Sequence, residues 1–268
     1  MNAGPDTALR SVTLGKIHAN AVTCQDAIDA IVAACAARRG GFVVTPNIDH
    51  IVLAEESAEF EDAYRKAFLS LPDGAPLPWI ARLLGSVLPE KVSGSDLTLP
   101  LVRAAAAAGV EVFLLGATPE TCDSAAAALR RDAPGARIVG QSSPAFALDG
   151  DPSEAIAACA SAGASGAGLV LVAMGAPKQE VLMARYSGLM NGAVAIGIGG
   201  TLRFLAGEID RCPAWISRMG FEWLHRLVKE PRRLAHRYLV RDRAIVGIIW
   251  RQWRVGRGPA AGSGRVGL

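Results

Sequence analysis

The sequence predicts an α/β fold, in which a Rossmann-like parallel sheet flanked by helices is followed by a C-terminal helical basic appendage. The first observation is that short apolar runs alternate with longer helical patterns along the first 200 residues. Such alternation is typical of a parallel sheet covered by helices on both faces. The second is an uneven charge: residues 1–200 have a net charge of −6 and residues 201–268 a net charge of +9. This asymmetry indicates an anionic partner for the C-terminal part.

The predicted elements follow one another in a regular order. Thr23, with Asp26 three residues later, predicts a capped helix that runs to Arg38 and stops at Gly40-Gly41. The elements predicted after it are a strand at 41–44, a helix at 49–70, a strand at 110–115, a helix at 119–132, a strand at 137–140, a helix at 153–162, a strand at 168–173, a helix from Pro177 and a strand at 193–197. Ligands of such folds bind beyond the carboxyl ends of the strands, so the site is expected there.

Composition and targeting signals exclude several classes of protein. With 268 residues, 51% hydrophobic and 20% charged, the chain can bury a core and is not disordered. Its five cysteines form no CxxC pair, which favours a reducing compartment such as the cytosol. The N-terminus lacks the apolar run of a signal peptide, and glycines and serines interrupt the longest uncharged stretch, so we expect no transmembrane helix.

The composition shifts predict three parts. They are an α/β body at 1–202, a basic, helical, membrane-facing appendage at 203–256 and a disordered tail at 257–268. In the appendage, Pro231 suits the start of a helix through Trp253, with tryptophan and isoleucine on one face and arginines elsewhere. That pattern suits an anionic membrane interface, and it also suits a core-packed helix with a solvated basic face. No groove-reading motif is present, so we expect no nucleic acid.

A strand exit is the loop that follows the carboxyl end of a strand. The exit after the strand at 168–173 has the most residues that could bind a ligand. Gly175 ends the strand, and Pro177 suits the first position of a helix. The N–H groups of that first turn favour an anion. Lys178 adds a positive charge, and Gln179 adds a donor and an acceptor that can read a sugar or a base. The same residues also suit an ordinary strand–helix joint.

Two further exits carry polar side chains. Asp73 lies in a Pro-Asp-Gly turn after an apolar run, where its carboxylate can act as a general base toward a hydroxyl. Thr45 and Asn47 follow the strand at 41–44 with groups that suit a polyol or a sugar. Local roles remain open for all three, because aspartate is favoured in such turns and threonine and asparagine are favoured in capping turns.

Two tempting motifs carry little weight. Residues 197–202 lack the third glycine of a dinucleotide fingerprint and the acid that would bind the ribose, so a glycine turn is the better interpretation. Asp149-Gly150-Asp151 resembles a DxD metal motif but lies in a hydrophilic loop before a helix. The four histidines show no ligand spacing, and we expect no metal and no cofactor.

Several motifs occur in the order found in one family. The motifs are Thr45-Pro-Asn47, Pro72-Asp-Gly74, Val92-Ser-Gly-Ser-Asp96, Phe113-Leu-Leu-Gly116, Gly175-Ala-Pro-Lys-Gln-Glu180, Gly197-Ile-Gly-Gly200, Arg211-Cys-Pro213, Glu222-Trp-Leu-His-Arg226-Leu227 and Pro231-Arg-Arg-Leu234. With this set, the chain resembles the WecG/TagA/CpsF bacterial glycosyltransferases over about residues 10–240. The chain departs from the family pattern at Lys91, at 142–146 and at 202–203, which leaves the donor and acceptor sugars unassigned.

The resemblance implies a role for particular residues. Asp73 would be the base, Thr45 and Asn47 would lie near the sugar, and Gln179 would lie in the same pocket. The family's basic appendage is thought to close over the active site at the membrane. This implies that Arg226, Arg232 and Arg233 contact the diphosphate or the membrane. The expected substrate-binding residues are Gly116, Gly175, Pro177, Lys178, Gly199, Gly200, Lys91, Arg211, Arg226, Arg232 and Arg233.

The resemblance also implies an activity. The expected reaction is inverting transfer of a hexose or N-acetylhexosamine, ManNAc-like, from a UDP-sugar to a polyprenyl-diphosphate-linked sugar in cell-surface polysaccharide assembly. The enzyme would be cytoplasmic and peripheral on the inner face of the plasma membrane, and a homo-oligomer is left open. The alternatives are a nucleotide-dependent oxidoreductase, which the incomplete glycine motif disfavours, and a non-enzymatic membrane-binding module, which would leave the polar strand exits without a purpose.

Overall fold

The computed structural model of the chain describes residues 10–210, residue 227 and residues 241–256. In it, a hairpin precedes a sheet of six parallel strands in the order β4-β3-β8-β7-β5-β6. The strands are β1 (Ser11–Leu14) and β2 (Ile17–Asn20) of the hairpin, then β3 (Phe42–Val44), β4 (Leu69–Ser70), β5 (Val112–Gly116), β6 (Ile138–Ser142), β7 (Leu169–Ala173) and β8 (Val194–Gly197). The predicted parallel α/β fold is confirmed.

Ten α-helices connect and cover these strands within the described residues. They are α1 (Cys24–Ala36), α2 (Ile48–Glu56), α3 (Ala58–Lys66), α4 (Pro76–Leu83), α5 (Gly94–Ala107), α6 (Pro119–Asp132), α7 (Ser153–Ala164), α8 (Lys178–Tyr186), α9 (Thr201–Leu205) and α10 (Ala244–Gly256), with a 3₁₀ turn at Ser187–Met190. None of them is both long enough and apolar enough to cross a membrane.

The core lies on both faces of the sheet, because successive residues of a strand point to opposite sides. Leu114 and Leu171 pack into a core on one face, whereas Leu115 and Val172 pack into a core on the other. All residues of β3, β5, β7 and β8 are buried. This double burial explains why these strands are uninterrupted apolar runs in the sequence.

The first helix begins as predicted. The Thr23 hydroxyl accepts a hydrogen bond from the Asp26 N–H while the Asp26 carboxylate accepts one from the Thr23 N–H, which is a capping box. The helix ends at Ala36 rather than Arg38, and Gly40 and Gly41 then adopt φ values of +71° and +92°. Such values favour glycine.

The single helix predicted over 49–70 is wrong. This stretch contains α2, α3 and the short edge strand β4. Ser57 has an extended backbone, and its hydroxyl accepts a hydrogen bond from the Phe60 N–H, so it ends α2 and caps α3. The Phe68 N–H then donates to the Phe42 carbonyl at 2.9 Å, which aligns the following residues with β3. Because the helices end at Lys66, the residues that follow can pair with β3 and form β4 at the edge of the sheet.

The N-terminal hairpin was not predicted from the sequence. Its turn uses Gly15 at φ +61°, a value that suits the tight turns of hairpins. The hairpin lies beside β4, where the Ser70 N–H donates to Asn20 Oδ1 at 2.7 Å and the Ser70 hydroxyl donates to the His18 carbonyl at 2.6 Å. The hairpin therefore packs beside the β4 edge of the sheet.

The last described helix, α10, packs along α2 and the hairpin. Ile248 and Ile249 are buried, and Arg251 forms an ion pair with Glu55 at 2.9 Å. The Gly15 N–H donates to Gln252 Oε1 at 2.9 Å. The predicted helix through Trp253 is thus present from 244, whereas its predicted start at 231 and the predicted tail at 257–268 lie outside the described residues. The predicted boundary at 202/203 falls within α9, and the division into body and appendage stays a prediction.

Candidate active site

Helix N-termini gather at the carboxyl edge of the sheet. α2 follows β3, α6 follows β5 and α8 follows β7, each after a short loop. The positive ends of these helix dipoles suit an anionic ligand. One first-turn N–H of each helix is already bonded within the protein, from His50 to Asn47, from Thr121 to Thr118 and from Gln179 to Gly175. A fourth helix, α5, also starts here, since a Cβ on Gly94 would lie 3.1 Å from the Ile198 Cα just beyond β8.

The structure brings the exits of β3 and β4 together. The Asp73 N–H donates to the Pro46 carbonyl at 2.7 Å, so the turn with Asp73 is bonded to the segment between Thr45 and Asn47. The Thr45 hydroxyl donates to the Gly197 carbonyl at 3.1 Å, which joins the same segment to β8. The Asn47 side chain caps α2 by accepting from the His50 N–H at 3.3 Å. Three predicted site residues therefore lie on one edge, with Asp73 half-buried.

Gln179 links the exits of β7 and β8. Its side-chain oxygen accepts from the Gly199 N–H at 3.0 Å, and its side-chain nitrogen donates to Glu180 Oε1 at 2.8 Å. Gln179 is 2% exposed and Glu180 is fully buried. The amide that the sequence offers as a sugar reader is thus bonded on both sides within the protein. Sequence reasoning had placed Glu180 in a motif without giving it a role.

A buried tyrosine–histidine pair lies behind these exits. The Tyr64 hydroxyl and His50 Nδ1 are 2.6 Å apart. Burial raises the pKa of the Tyr64 phenol well above its usual value, and the negative charges of Glu180, Asp73 and Asp49 raise that pKa further. Because these charges act on one phenol, the candidate base shares its surroundings with two buried carboxylates.

Arg241 brings the C-terminal part of the chain to the same edge. Its guanidinium forms an ion pair with Asp49, a side chain only 2% exposed in the first turn of α2. Arg251 pairs with Glu55 near the end of α2, so α10 runs parallel to α2 and begins near the candidate site. The pair between Arg241 and Asp49 has no signal in the sequence, because the two residues are 192 positions apart.

The predicted glycines fall into two groups. Gly116 has φ +94°, and a Cβ there would lie 2.6 Å from Met174 Cγ and 2.9 Å from the Ala173 carbonyl oxygen, so glycine lets β5 and β7 approach at their exits. For Gly175, Gly199 and Gly200, a Cβ would meet nothing within 4 Å. At these three positions the described residues leave room beside the backbone for a ligand.

The predicted lysines lie at two helix starts. Lys91 forms an ion pair of 2.9 Å with Asp96, whose carboxylate also accepts from the Ser93 hydroxyl that caps α5. Lys178 is exposed as the first residue of α8. Pro177 occupies the cap just before it, one position earlier than the sequence predicts, and its carbonyl accepts from the Val181 N–H at 3.2 Å.

The remaining predicted site residues cannot be placed on this edge. Arg211, Arg226, Arg232 and Arg233 lie outside the described residues. Across the described ranges, no three His, Cys, Asp or Glu side chains form a group that could hold a metal ion. The DxD-like motif is a local turn before α7, where Asp151 accepts from the Ser153 N–H at 3.0 Å and from the Ser153 hydroxyl at 2.6 Å.

A parallel α/β sheet with a turn carboxylate, hydroxyl and amide groups and helix N-termini at one edge is the framework expected of a sugar-transferring enzyme. The chain belongs to the glycosyl transferase WecG/TagA/CpsF family, which matches residues 12–258. It is similar to the N-acetylglucosaminyldiphosphoundecaprenol N-acetyl-beta-D-mannosaminyltransferase of Bacillus spizizenii, with 31% identity over 195 residues, 73% of this chain and 74% of that relative. The resemblance seen in the sequence is confirmed, and the protein is a glycosyltransferase.

Proposed function

We propose that the protein transfers an N-acetylhexosamine, ManNAc-like, from a UDP-sugar to a polyprenyl-diphosphate-linked sugar in cell-surface polysaccharide assembly. The family supports glycosyl transfer, and the name of the Bacillus relative supports this choice of donor sugar and lipid-linked acceptor. The observation that supports the proposal most is the hydrogen bond from the Asp73 N–H to the Pro46 carbonyl. It joins the loops after β3 and β4, so that Asp73 lies beside the segment of Thr45 and Asn47. A carboxylate next to hydroxyl and amide groups suits the activation of one sugar hydroxyl.

Asp73 is the general base of the proposed reaction. It takes the proton of the acceptor hydroxyl while that oxygen attacks the anomeric carbon of the donor. The new bond joins the anomeric carbon to the acceptor oxygen, and the bond to the β-phosphate oxygen breaks, so UDP leaves with inversion. Thr45 and Asn47 hold the reacting sugar. Gln179, whose amide is bonded to Gly199 and Glu180, supports the loop that follows β8.

The leaving diphosphate needs positive groups that are in place before the reaction. The positive end of the α8 dipole and the exposed Lys178 supply them in this proposal. Gly175, Gly199 and Gly200 allow the phosphates to approach the backbone. The loops around this site are held by Lys91, which pairs with Asp96, by Gly116, which lets β5 and β7 approach, and by Pro177, which caps α8. The predicted contacts of Arg211, Arg226, Arg232 and Arg233 with the diphosphate or the membrane remain part of the proposal.

A panel of UDP-sugars tests this function. The purified full chain is incubated with each donor and with an N-acetylglucosaminyl-diphosphate-lipid acceptor, and the products are identified by mass spectrometry. We expect one N-acetylhexosamine donor to give a disaccharide lipid and UDP. Titration with NAD separates the oxidoreductase alternative, and tight NAD binding without transfer from any UDP-sugar would contradict the proposal.

The appendage at 203–256 is proposed to hold the enzyme at an anionic membrane. Away from its buried face, α10 exposes Val246, Trp250 and Val255 at 72%, 52% and 77%, and the Arg254 guanidinium lies 4.7 Å from the Trp250 ring centroid. Tryptophan and arginine side by side suit a membrane interface. The protein is then peripheral on the cytoplasmic face of the plasma membrane, and a homo-oligomer stays a prediction.

Vesicle sedimentation tests the membrane contact. We expect the full chain to bind vesicles with anionic lipid at low salt and to lose binding as salt screens its charges. Trp250→Ser should weaken binding, whereas Ile156→Ser, which changes another exposed apolar residue (40% exposed) on the body, is the matched control. Equal binding by wild type and Trp250→Ser would exclude this face as the contact.

A further inference from the structure

The orientation of the Gln179 side-chain amide is fixed by its two partners. The Gly199 N–H can only donate, so the atom facing it at 3.0 Å is the amide oxygen. A glutamate carboxylate facing an amide nitrogen at 2.8 Å accepts, so the atom facing Glu180 is that nitrogen. The reversed orientation would place donor against donor at Gly199. Glu180 and Gly199 therefore select the same orientation of the amide, and Glu180 holds its nitrogen end.

The space around this amide leaves it little freedom. Gln179 and Glu180 are 2% and 0% exposed. The backbone of Gly197 lies against the amide, since a Cβ there would be 2.8 Å from Gln179 Nε2 and 3.1 Å from Cδ. Because the amide is enclosed and bonded through both its oxygen and its nitrogen, a displacement of its nitrogen also displaces its oxygen.

The far end of this connection is the turn between β8 and α9. Gly199 adopts φ +56°, and among the described residues no atom beyond the chain neighbours lies within 4 Å of where a Cβ on Gly199 or Gly200 would be. This is the turn at which the donor diphosphate is proposed to approach the backbone. The hydrogen bond from Gly199 to Gln179 thus holds a substrate-facing turn from its protein side.

We infer that Glu180 is a positioning residue, which acts through the Gln179 amide to hold the Gly199–Gly200 turn for the donor. Glu180 itself touches no reacting atom in this scheme. The inference rests on the proposed function for the identity of the ligand, whereas the connection from Glu180 to Gly199 rests on the contacts alone.

Four variants test the connection. Glu180→Gln keeps an oxygen for Gln179 to donate to, and Glu180→Leu removes it. Gln179→Glu places two buried carboxylates against each other. The exchange of both residues, Gln179→Glu with Glu180→Gln, restores the connection, because the new glutamate accepts from Gly199 and from the new glutamine. All four are compared with wild type at equal folded fraction, measured by thermal unfolding.

Donor kinetics provide the first measurement. We expect Glu180→Leu and Gln179→Glu to lower kcat/KM for the UDP-sugar by roughly 10- to 100-fold, the loss typical of a misplacement of order 1 Å. The acceptor KM should not change. Glu180→Gln, and the double variant that exchanges both residues, should keep most of the wild-type kcat/KM. Wild-type donor kinetics in folded Glu180→Leu, or a folded exchange variant no better than Gln179→Glu alone, would overturn the inference.

Hydrogen exchange provides a measurement that needs no substrate. Exchange of the amides at 198–202 should speed up in Glu180→Leu and return toward wild type in the exchange variant. If wild type transfers no sugar from any UDP donor while these exchange rates behave as expected, the proposed function fails and the connection stands. If the rates are the same in all variants, the connection itself is refuted.

Discussion

Replacing Asp73 by asparagine removes the proposed base. The two side chains have nearly the same shape, and the hydrogen bond that fixes the turn runs from the Asp73 backbone N–H to Pro46, so the substitution leaves it intact. The side chain is only half-buried, and its negative charge is one of three that act on Tyr64. Denaturant unfolding of Asp73→Asn beside wild type separates an effect on stability from an effect on catalysis.

The expected loss at equal folded fraction is in catalysis. General-base catalysis contributes roughly 10²- to 10⁴-fold, which corresponds to about 3 to 5 kcal/mol of activation free energy. Single-turnover transfer from a radiolabelled UDP-sugar measures the rate of the chemical step, and UDP titration should show unchanged donor affinity. Asp149→Asn is the matched control, since Asp149 is exposed in the loop before α7. Folded Asp73→Asn with turnover within about threefold of wild type would remove Asp73 from the base role.

Three further predictions concern the body of the protein. Gly163→Ala should destabilise it by about 1 to 3 kcal/mol in denaturant unfolding, because the new Cβ would collide with the Leu189 carbonyl oxygen. Gly188→Ala should be nearly neutral, because no atom of the described residues beyond its chain neighbours lies within 4 Å of the new Cβ. Burial raises the pKa of the Cys159 thiol to about 12, so alkylation at pH 8 followed by mass spectrometry should label the partly exposed Cys24 before Cys159; equal labelling of these two thiols in the native protein would contradict this. Burial lowers the pKa of His18 below its ordinary value of 6.5, so the unfolded state takes up the proton first as the pH falls. The free energy of unfolding should then decrease as the pH falls below about 6.5, and His18→Gln should flatten that slope; an unchanged slope would show that other groups cause it.

The sheet could be predicted because its strands are buried on both faces. β5, β7 and β8 are continuous apolar runs followed by glycine and a helix start, and local sequence is enough to place them. β4 has only two residues, and its backbone is held by hydrogen bonds to β3 rather than by its own pattern. The helical periodicity around it therefore favoured one long helix, although Ser57 carries a local signal for the break.

The candidate site was predictable where the chain itself places a residue at a strand exit. Asp73, Thr45 and Gln179 were found that way, and the structure places them at one edge. Glu180 and Tyr64 were missed, because their importance depends on partners from other elements. A buried glutamate looks like any charged residue near a helix start, and only packing shows that it is fully enclosed.

The contacts of Gln252 have a consequence for the order in which the chain is assembled. Gln252 bonds to Gly15 and Thr13, so these contacts close loops of 237 and 239 residues. During synthesis, the N-terminal hairpin leaves the ribosome long before its partner exists. The sheet can form in the meantime from its nearer neighbours, since distant contacts form late when loop closure is costly. The hydrogen bonds between the hairpin and Gln252 can form only when α10 has been made. Translation of the last described helix is therefore the step that adds these contacts to the first strands.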